Sequence, residues 1–294
     1  MFDLQQYLKE KTALVNKALE RSLPAADARP AILHRAMRYS VLAGGKRLRP
    51  ILCLAAAEAV GGNVKNALTS ALALEILHSY TLIHDDLPCM DDDVLRRGKP
   101  TSHVMFGEAN ALLAGDALLT LAFEWIAKTI PPPPYKPNQI ILELAKAAGS
   151  MGVIGGQVED LAFERKKPDA ATVNYIHMHK TACLITAAAR IGGICGGAGR
   201  GELKALGKYG EKAGLAFQIT DDILNETSTR KKMGKAAGSD RARGKMTYVA
   251  VHGLEKSRQA ALRLAGEAVR ALQPLKGDKQ ALAALVDFIV TRKL

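Results

Sequence analysis

The sequence predicts an all-α protein that folds as one large helical bundle around a central cavity. Long Ala- and Leu-rich segments with apolar faces follow one another along almost the whole chain. No segment alternates apolar and polar residues with the period of two that marks a half-buried strand. Gly and Pro stand between the segments, where they are expected to end helices. We therefore expect a single domain over residues 1–294.

The individual helices are predicted from runs that are rich in helix-forming residues and poor in β-branched ones. In chain order they cover 50–60, 68–84, 109–128, 139–151, 170–190, 202–224 and 257–272. Breaks are predicted at 44–45, 61–62, 131–134, 168–169 and 196–201. The Pro-rich run 131–137 could link two domains, but the helical pattern is the same on both sides. We interpret it as a stiff loop between helices.

Composition narrows the class of protein. An apolar fraction of 48% excludes a disordered chain. We find no run of the ~20 apolar residues that a membrane span needs, and residues 1–15 do not form a signal peptide, so we expect a cytoplasmic protein without a membrane partner. Cys53, Cys89, Cys183 and Cys195 are widely spaced and include no CxxC pair, which predicts reduced packing cysteines. The net charge of +12 fits nucleic acid, an anionic membrane or a phosphate-bearing substrate.

A first acidic cluster stands at the end of an apolar helix. Asp85 and Asp86 are followed, after Leu-Pro-Cys-Met, by three more aspartates at 91–93. Five carboxylates beside apolar residues are costly unless cations lie among them, and Mg²⁺ is the hard cation that prefers oxygen ligands. Pro88 should end the helix, so helical spacing alone does not decide which later aspartate faces Asp85. The alternative interpretation is a solvated acidic helix end.

A second acidic cluster strengthens the metal hypothesis. Gln218, Asp221, Asp222 and Asn225 recur at spacings of three and four in an otherwise apolar helix. This spacing groups their amide and carboxylate oxygens on one helical face. Two such faces in one all-α chain could oppose each other across a cavity and hold metal ions with a diphosphate between them.

Basic residues alternate with the acidic clusters. Lys46, Arg47 and Arg49 form a cationic turn before a helix, and Arg96 and Arg97 follow the first acidic cluster. Further along are the segment 177–181 (HMHKT) and the basic, Gly-containing segment 230–245, which could close over bound phosphates as a lid. Each set alone could be solvated surface charge. The basic stretches contain almost no aromatic residues, so we expect no nucleic-acid partner.

The sequence motifs of several other enzyme classes are incomplete or absent. Gly244-Lys245 lacks the upstream glycine and the following Ser or Thr of a phosphate-binding loop. The Gly-rich run 192–199 follows no strand, so it predicts close helix packing and not a dinucleotide site. Neither GxSxG nor HExxH occurs.

Together these motifs resemble the trans-isoprenyl diphosphate synthases, most closely the bacterial farnesyl and short-chain geranylgeranyl diphosphate synthases. The likeness covers nearly the whole chain. It is carried by GGKRLRP (44–50), LHSYTLIHDDLPCMDDDVLRRGKPTSH (77–103), GEANALLAGDALL (107–119), GGQVEDL (155–161), HMHKT (177–181), FQITDDILN (217–225), GKAAGSD (234–240) and GKMTY (244–248). It implies the isoprenoid synthase fold, a homodimer, and the condensation of isopentenyl diphosphate with an allylic diphosphate.

The resemblance also implies roles for individual residues. Metal ligands for three Mg²⁺ ions would be Asp85, Asp91 and Asp221. Catalytic residues would be these three with Asp86, Arg96, Lys180 and Lys235. The allylic diphosphate would contact Arg96, Lys180, Thr181, Gln218, Asp222 and Lys235, with Lys245 nearby. Isopentenyl diphosphate would contact Lys46, Arg49, His78 and Arg97.

Two features bear on metal binding and product length. The family's second motif usually reads DDxxD, whereas position 225 here is Asn, which removes one negative charge near the expected third ion. Tyr80 and Thr81 lie about one helical turn beneath Asp85. The aromatic residue at 80 and the Pro-containing insertion resemble the farnesyl-producing pattern, so Tyr80 is the expected floor of the cavity. The alternative for Tyr80 is an ordinary core aromatic.

Other functions remain open at this stage. The nearest is a geranylgeranyl diphosphate synthase on the same scaffold. A class I terpene cyclase also ionises a diphosphate, but Lys232 stands where its second metal motif needs an acid, and a second diphosphate pocket such as GGKRLRP would have no use there. A non-catalytic partner subunit and a DNA-binding protein are weaker alternatives.

Overall fold

The computed structural model describes residues 2–227 and 244–291. The helices of its first half are α1 (Leu4–Ser22), α2 (Ala31–Leu42), α3 (Leu48–Ala59), α4 (Val64–Asp85), α5 (Ser102–Phe106), α6 (Glu108–Ala127) and α7 (Pro137–Ala148). Those of the second half are α8 (Val153–Ala162), α9 (Ala170–Ile176), α10 (Cys183–Gly196), α11 (Arg200–Thr227), α12 (Tyr248–His252), α13 (Leu254–Ala271) and α14 (Gln280–Thr291). The all-α prediction is confirmed.

A single short hairpin interrupts the helices of the described chain. β1 (Leu95–Arg96) pairs antiparallel with β2 (Lys99–Pro100), and Arg96 lies opposite Lys99. Arg97 and Gly98 connect them with positive φ angles of 54° and 75°. Positive φ at both central residues is the requirement of the tightest hairpin turns. The strands are too short for an alternating pattern, which explains why the sequence did not predict them.

The centre of the bundle is formed by α3, α4 and α10. Residues Pro50 to Ala57 of α3 are all buried, so this helix has no solvent-facing side over two turns. α10 packs on α3 so closely that a Cβ on Gly192 would lie 2.0 Å from the carbonyl oxygen of Cys53. The interpretation of the Gly-rich run as a packing device is therefore confirmed.

One predicted helix differs from the structure. The segment 170–190 divides into α9, a π-helical turn (His177–Ala182) and the start of α10. A π-turn inserts one extra residue into the helical ladder, and such turns are frequent at functional sites. The π-turn changes the spacing of apolar residues too little for the sequence to predict it.

The helix α6 departs from the expectation that no segment could span a membrane. By length and composition it is apolar enough to do so, and 39% of its apolar window is buried within the chain. Its acidic residues are spread along the helix, so that they do not interrupt its apolar character at any one point. The buried face, including Ala111 and Leu118, packs against α2 and α4, and Leu112 and Leu113 are exposed.

Candidate active site

The two acidic motifs line the same cavity. This cavity has a volume of about 1150 Å³, and both Asp85 on α4 and Asp221 on α11 lie on its wall. Its apolar lining includes Leu119, Val158, Leu184 and Phe217. A pocket that is mostly apolar, with a few converging charged groups, is the usual form of a small-molecule site.

The first acidic motif folds back on itself after α4. The helix ends at Asp85, and the backbone N–H of Asp91 donates to the carbonyl oxygen of Asp85 at 2.8 Å. The backbone therefore brings Asp91 back to Asp85, a choice that helical spacing had left open and that the family resemblance implied. Burial, together with the charge of Asp91, raises the pKa of Asp85 above its usual value. A bound cation would stabilise the charged form of both carboxyls.

The second carboxyl of this motif has a different partner. Asp86 is buried and accepts three hydrogen bonds from Arg96, from Nε at 2.7 and 2.9 Å and from Nη2 at 2.6 Å. Such a bidentate contact fixes the orientation of a guanidinium. Asp86 therefore positions Arg96, which lines the cavity, whereas Asp85 itself faces the cavity.

The second acidic motif also divides between two sides of its helix. Gln218 and Asp221 line the cavity. The neighbouring Asp222 is buried and accepts hydrogen bonds from Gln218 Nε2 at 2.9 Å and from the backbone N–H of Tyr248 at 2.7 Å, and it lies 3.2 Å from His177 Nε2. Asp222 thus connects α11 to α12 in the described structure, and its expected contact with the substrate stays a prediction.

One end of the cavity is strongly cationic. Lys46, Arg49, His78 and Arg97 all line it. The Nε atom of Arg49 is buried without a hydrogen-bond partner among the described residues. Burial, then the surrounding arginines, hold the pKa of His78 well below its usual value. An anion at this end would satisfy the buried donor and neutralise the clustered charge.

In the sequence, Arg47 was recognised only as part of the cationic turn, and its partner, Glu75, was missed. Arg47 has a left-handed φ of 49°, and its side chain is buried in an ion pair with Glu75. Glu75 stands three residues before His78 on α4, in a stretch that is otherwise apolar. A lone acid in a long apolar helix, together with a cationic turn elsewhere, was the signal that could have suggested this pair.

The residues expected to contact the allylic diphosphate lie around the acidic motifs. Lys180 and Thr181 lie on the π-turn, and the Thr181 hydroxyl donates to Gln218 Oε1 at 2.8 Å. Lys180, Thr181 and Gln218 all line the cavity. Lys245 lies beside the first acidic motif, with Nζ at 3.1 Å from Asp91 Oδ1. Lys235 and the segment 230–243 of the expected lid lie outside the described residues.

The two expected length-determining residues lie on the cavity wall. Tyr80 is 5% exposed and meets the His84 ring edge to face, with ring centroids 5.4 Å apart. Burial, and next Asp85, raise the pKa of Tyr80 to about 12, so the phenol stays neutral. The Thr81 hydroxyl donates to the carbonyl oxygen of His78 at 2.8 Å, so it is satisfied within its own helix.

The donor set fits Mg²⁺ if substrate supplies further ligands. Among the described residues, no three His, Cys, Asp or Glu side chains converge closely enough to form a metal centre alone. Mg²⁺ in proteins typically takes one or two carboxylates, with waters and substrate phosphates completing its octahedron. Asp85 and Asp221 on the cavity wall, with Asp91 returning to Asp85, provide carboxylates of this kind.

Comparison with known proteins agrees with this geometry. The "Polyprenyl synthetase" family model matches residues 30–285. The chain is 46% identical to "Heterodimeric geranylgeranyl pyrophosphate synthase large subunit 1, chloroplastic" of Arabidopsis thaliana, with 99% of this chain and 80% of that protein covered.

Solved structures extend the likeness to the whole fold. Geranylgeranyl pyrophosphate synthetase from Pyrococcus horikoshii superposes with a TM-score of 0.90 at 33% identity, covering 99% of this chain and 98% of that one. A geranyltransferase from Helicobacter pylori, complexed with magnesium and isoprenyl diphosphate, gives a TM-score of 0.85 at 32% identity, with coverages of 99% and 98%. The chain therefore belongs to the polyprenyl synthetase family, the trans-isoprenyl diphosphate synthases, which are Mg²⁺-using prenyltransferases that extend an allylic diphosphate with isopentenyl diphosphate.

Proposed function

We propose that this protein condenses isopentenyl diphosphate head to tail with dimethylallyl or geranyl diphosphate. The observation that carries the proposal is the placement of Asp85 and Asp221 on one cavity that also has a cationic end and an apolar lining. The acidic walls suit a metal-bound allylic diphosphate, and the cationic end suits the second diphosphate. An apolar wall between them suits the two hydrocarbon chains.

The residues of the allylic side are proposed to promote departure of the diphosphate. Asp85, Asp91 and Asp221 would hold three Mg²⁺ ions, and when bound these would supply positive charge to the leaving diphosphate. Arg96, oriented by Asp86, adds hydrogen bonds to the same anion, and Lys180 adds a positive charge. The C–O bond of the allylic substrate then ionises to an allylic cation.

The opposite end is proposed to orient the second substrate. Lys46, Arg49, His78 and Arg97 bind its diphosphate, so that its double bond faces the allylic cation. Apolar side chains such as Phe217 and Leu184 exclude water that would otherwise capture the cation. The double bond forms the new C–C bond, and the departing diphosphate accepts the proton that is lost. No protein nucleophile is required.

The product length has two candidates. Several relatives are named as geranylgeranyl synthases, which favours a 20-carbon product. These names support the 20-carbon product better than the farnesyl product expected from the sequence. The bulky Tyr80 on the cavity wall favours the 15-carbon farnesyl product instead.

The deciding experiment is a chromatographic carbon count. The purified protein is incubated with Mg²⁺, labelled isopentenyl diphosphate and each allylic primer, and the product is dephosphorylated to its alcohol. A 20-carbon alcohol supports the geranylgeranyl candidate, and a 15-carbon alcohol supports the farnesyl candidate. A cyclised hydrocarbon, or no product with any primer, would overturn the proposed condensation.

We also propose a homodimer that covers the exposed side of α6. Leu112 and Leu113 on α6, with Val104 and Met105 on α5, expose large apolar side chains to 45–55%. Burying such side chains against a second copy would remove apolar area from water. Light scattering of the purified protein should give twice the chain mass, and a monomer would refute this assembly. A cytoplasmic location stays a prediction, since the similar Arabidopsis protein is named as chloroplastic.

A further inference from the structure

The acidic residues of the motif GGQVEDL (155–161) have no role in the proposed reaction, although α8 packs directly against the π-turn that carries Lys180. The contact is unusually close at Gly156, where a Cβ would lie 2.2 Å from the backbone nitrogen of Lys180. Only glycine permits this approach. Asp160 stands four residues later on α8, so it lies on the same helical face as Gly156.

The carboxyl of Asp160 is buried between two lysines. It is 5% exposed, and its Oδ2 lies 2.5 Å from Lys180 Nζ and 3.5 Å from Lys245 Nζ. Burial alone would raise the pKa of Asp160, but the two ammonium groups hold it below the usual value. One buried carboxylate is thus shared by two lysines that come from distant parts of the chain.

The same lysines are within electrostatic reach of the expected metal ligands. Lys245 Nζ is 3.1 Å from Asp91 Oδ1, and the charges of both lysines act on Asp85. Asp160 therefore competes with Asp85 and Asp91 for the same two cations. Without Asp160, the lysines would pair more fully with the two aspartates that are expected to bind Mg²⁺.

We propose that Asp160 is a positioning residue that holds Lys180 beside the allylic diphosphate and shares Lys245 with Asp91. This proposal rests on the proposed function, because it takes the acidic wall as the diphosphate and metal site. Gln157, three residues before Asp160 on α8, lines the cavity, and its Nε2 has no hydrogen-bond partner among the described residues. The α8 face is thus directed at the site.

The test compares Asp160→Asn with Glu159→Gln, which removes the same charge from the adjacent position. Calorimetry measures the binding of inorganic diphosphate with and without Mg²⁺. We expect Asp160→Asn to weaken binding about tenfold in both conditions, because charge-assisted hydrogen bonds of this kind govern affinity on that scale. Glu159→Gln should bind as the parent does, and Asp160→Glu should recover most of the affinity.

Several results would overturn the proposal. Tighter diphosphate binding by Asp160→Asn would mean that Asp160 acts only as a repulsive charge near the anion. A loss confined to Mg²⁺-containing solutions would make it a metal ligand. Equal losses of diphosphate affinity in Asp160→Asn and Asp160→Glu would show that the negative charge at position 160 does not determine binding. The melting temperature of each variant separates these results from misfolding.

Steady-state kinetics gives an independent readout. Asp160→Asn should raise the KM of the allylic diphosphate and leave the KM of isopentenyl diphosphate unchanged, since the lysines lie on the allylic side. An equal rise in both KM values would contradict the proposal. Failure of the proposed function would appear differently, as absence of condensation by the parent protein, and the diphosphate titration would still report on Asp160.

Discussion

Arg47 Nη1 donates to Glu75 Oε1 at 2.7 Å in a pair whose side chains are only 2% and 3% exposed. Arg47 also donates from Nη2 to the carbonyl oxygen of Val41 at 2.7 Å and from Nε to Asn16 Oδ1 at 2.9 Å. One guanidinium thus connects α1, the end of α2 and α4. It fixes the turn that carries Lys46 and Arg49 at the cationic end of the cavity.

Replacing Glu75 with Gln should destabilise the protein by about 3–5 kcal/mol, because breaking a buried ion pair leaves Arg47 charged and uncompensated. The free energy of unfolding in urea measures this loss. The exposed pair of Glu124 and Lys128, at 57% and 63% exposure, is the control, and Glu124→Gln should cost less than about 1 kcal/mol. Equal costs for the two variants would contradict the role given to the buried pair.

The low pKa of His78 predicts a loss of stability in mild acid. In the folded, ligand-free protein His78 stays neutral, because burial and the surrounding arginines depress its pKa. The unfolded chain takes up the proton below its ordinary pKa of about 6.5, so the unfolded state binds more protons as the pH falls through that value. This contribution to stability is therefore present above pH ~6.5 and is lost below it.

Urea unfolding between about pH 5 and 8 brackets the ordinary histidine pKa and measures how the free energy of unfolding depends on pH. His78→Gln should flatten the slope below the unfolded pKa. An unchanged slope in His78→Gln would mean that His78 does not titrate between the two states as described.

Replacing Tyr80 with Ala should lengthen the product by one or more isoprene units. The substitution removes a buried aromatic ring from the cavity wall beneath Asp85 and opens space for a longer chain. Chromatography of the dephosphorylated products measures the distribution. Tyr135→Ala is the matched control, because that ring lies in the loop before α7 and outside the cavity lining, with its hydroxyl bonded to Ala198. Identical products from Tyr80→Ala and the parent would rule out Tyr80 as the floor.

Replacing Asn225 with Asp should lower the Mg²⁺ concentration required for half-maximal rate. Asn225 is 8% exposed and stands one helical turn after Asp221, so a carboxylate there adds negative charge close to the expected metal. Rate measured against Mg²⁺ concentration gives the comparison. Asn66→Asp adds the same charge at an exposed position and should leave the requirement unchanged. A raised or unaltered requirement in Asn225→Asp would contradict the prediction.

The sequence by itself determined the fold class, the approximate helices and the cavity-lining members of the motifs. This success has a local cause, because helical periodicity and the spacing within motifs are properties of neighbouring residues. Asp85 and Asp221, for example, are recognisable from sequence because each belongs to a short acidic pattern in an apolar helix.

Tertiary structure decided which partner each charged residue takes. Asp86 and Asp222 look equivalent to Asp85 and Asp221 in sequence, yet Asp86 binds Arg96 and Asp222 binds the backbone of Tyr248. Asp160 with Lys245, and Arg47 with Glu75, are separated by 85 and 28 residues. Pairs at such separations depend on how helices pack against one another, because the energy of a buried charge is set by neighbours that local spacing does not encode.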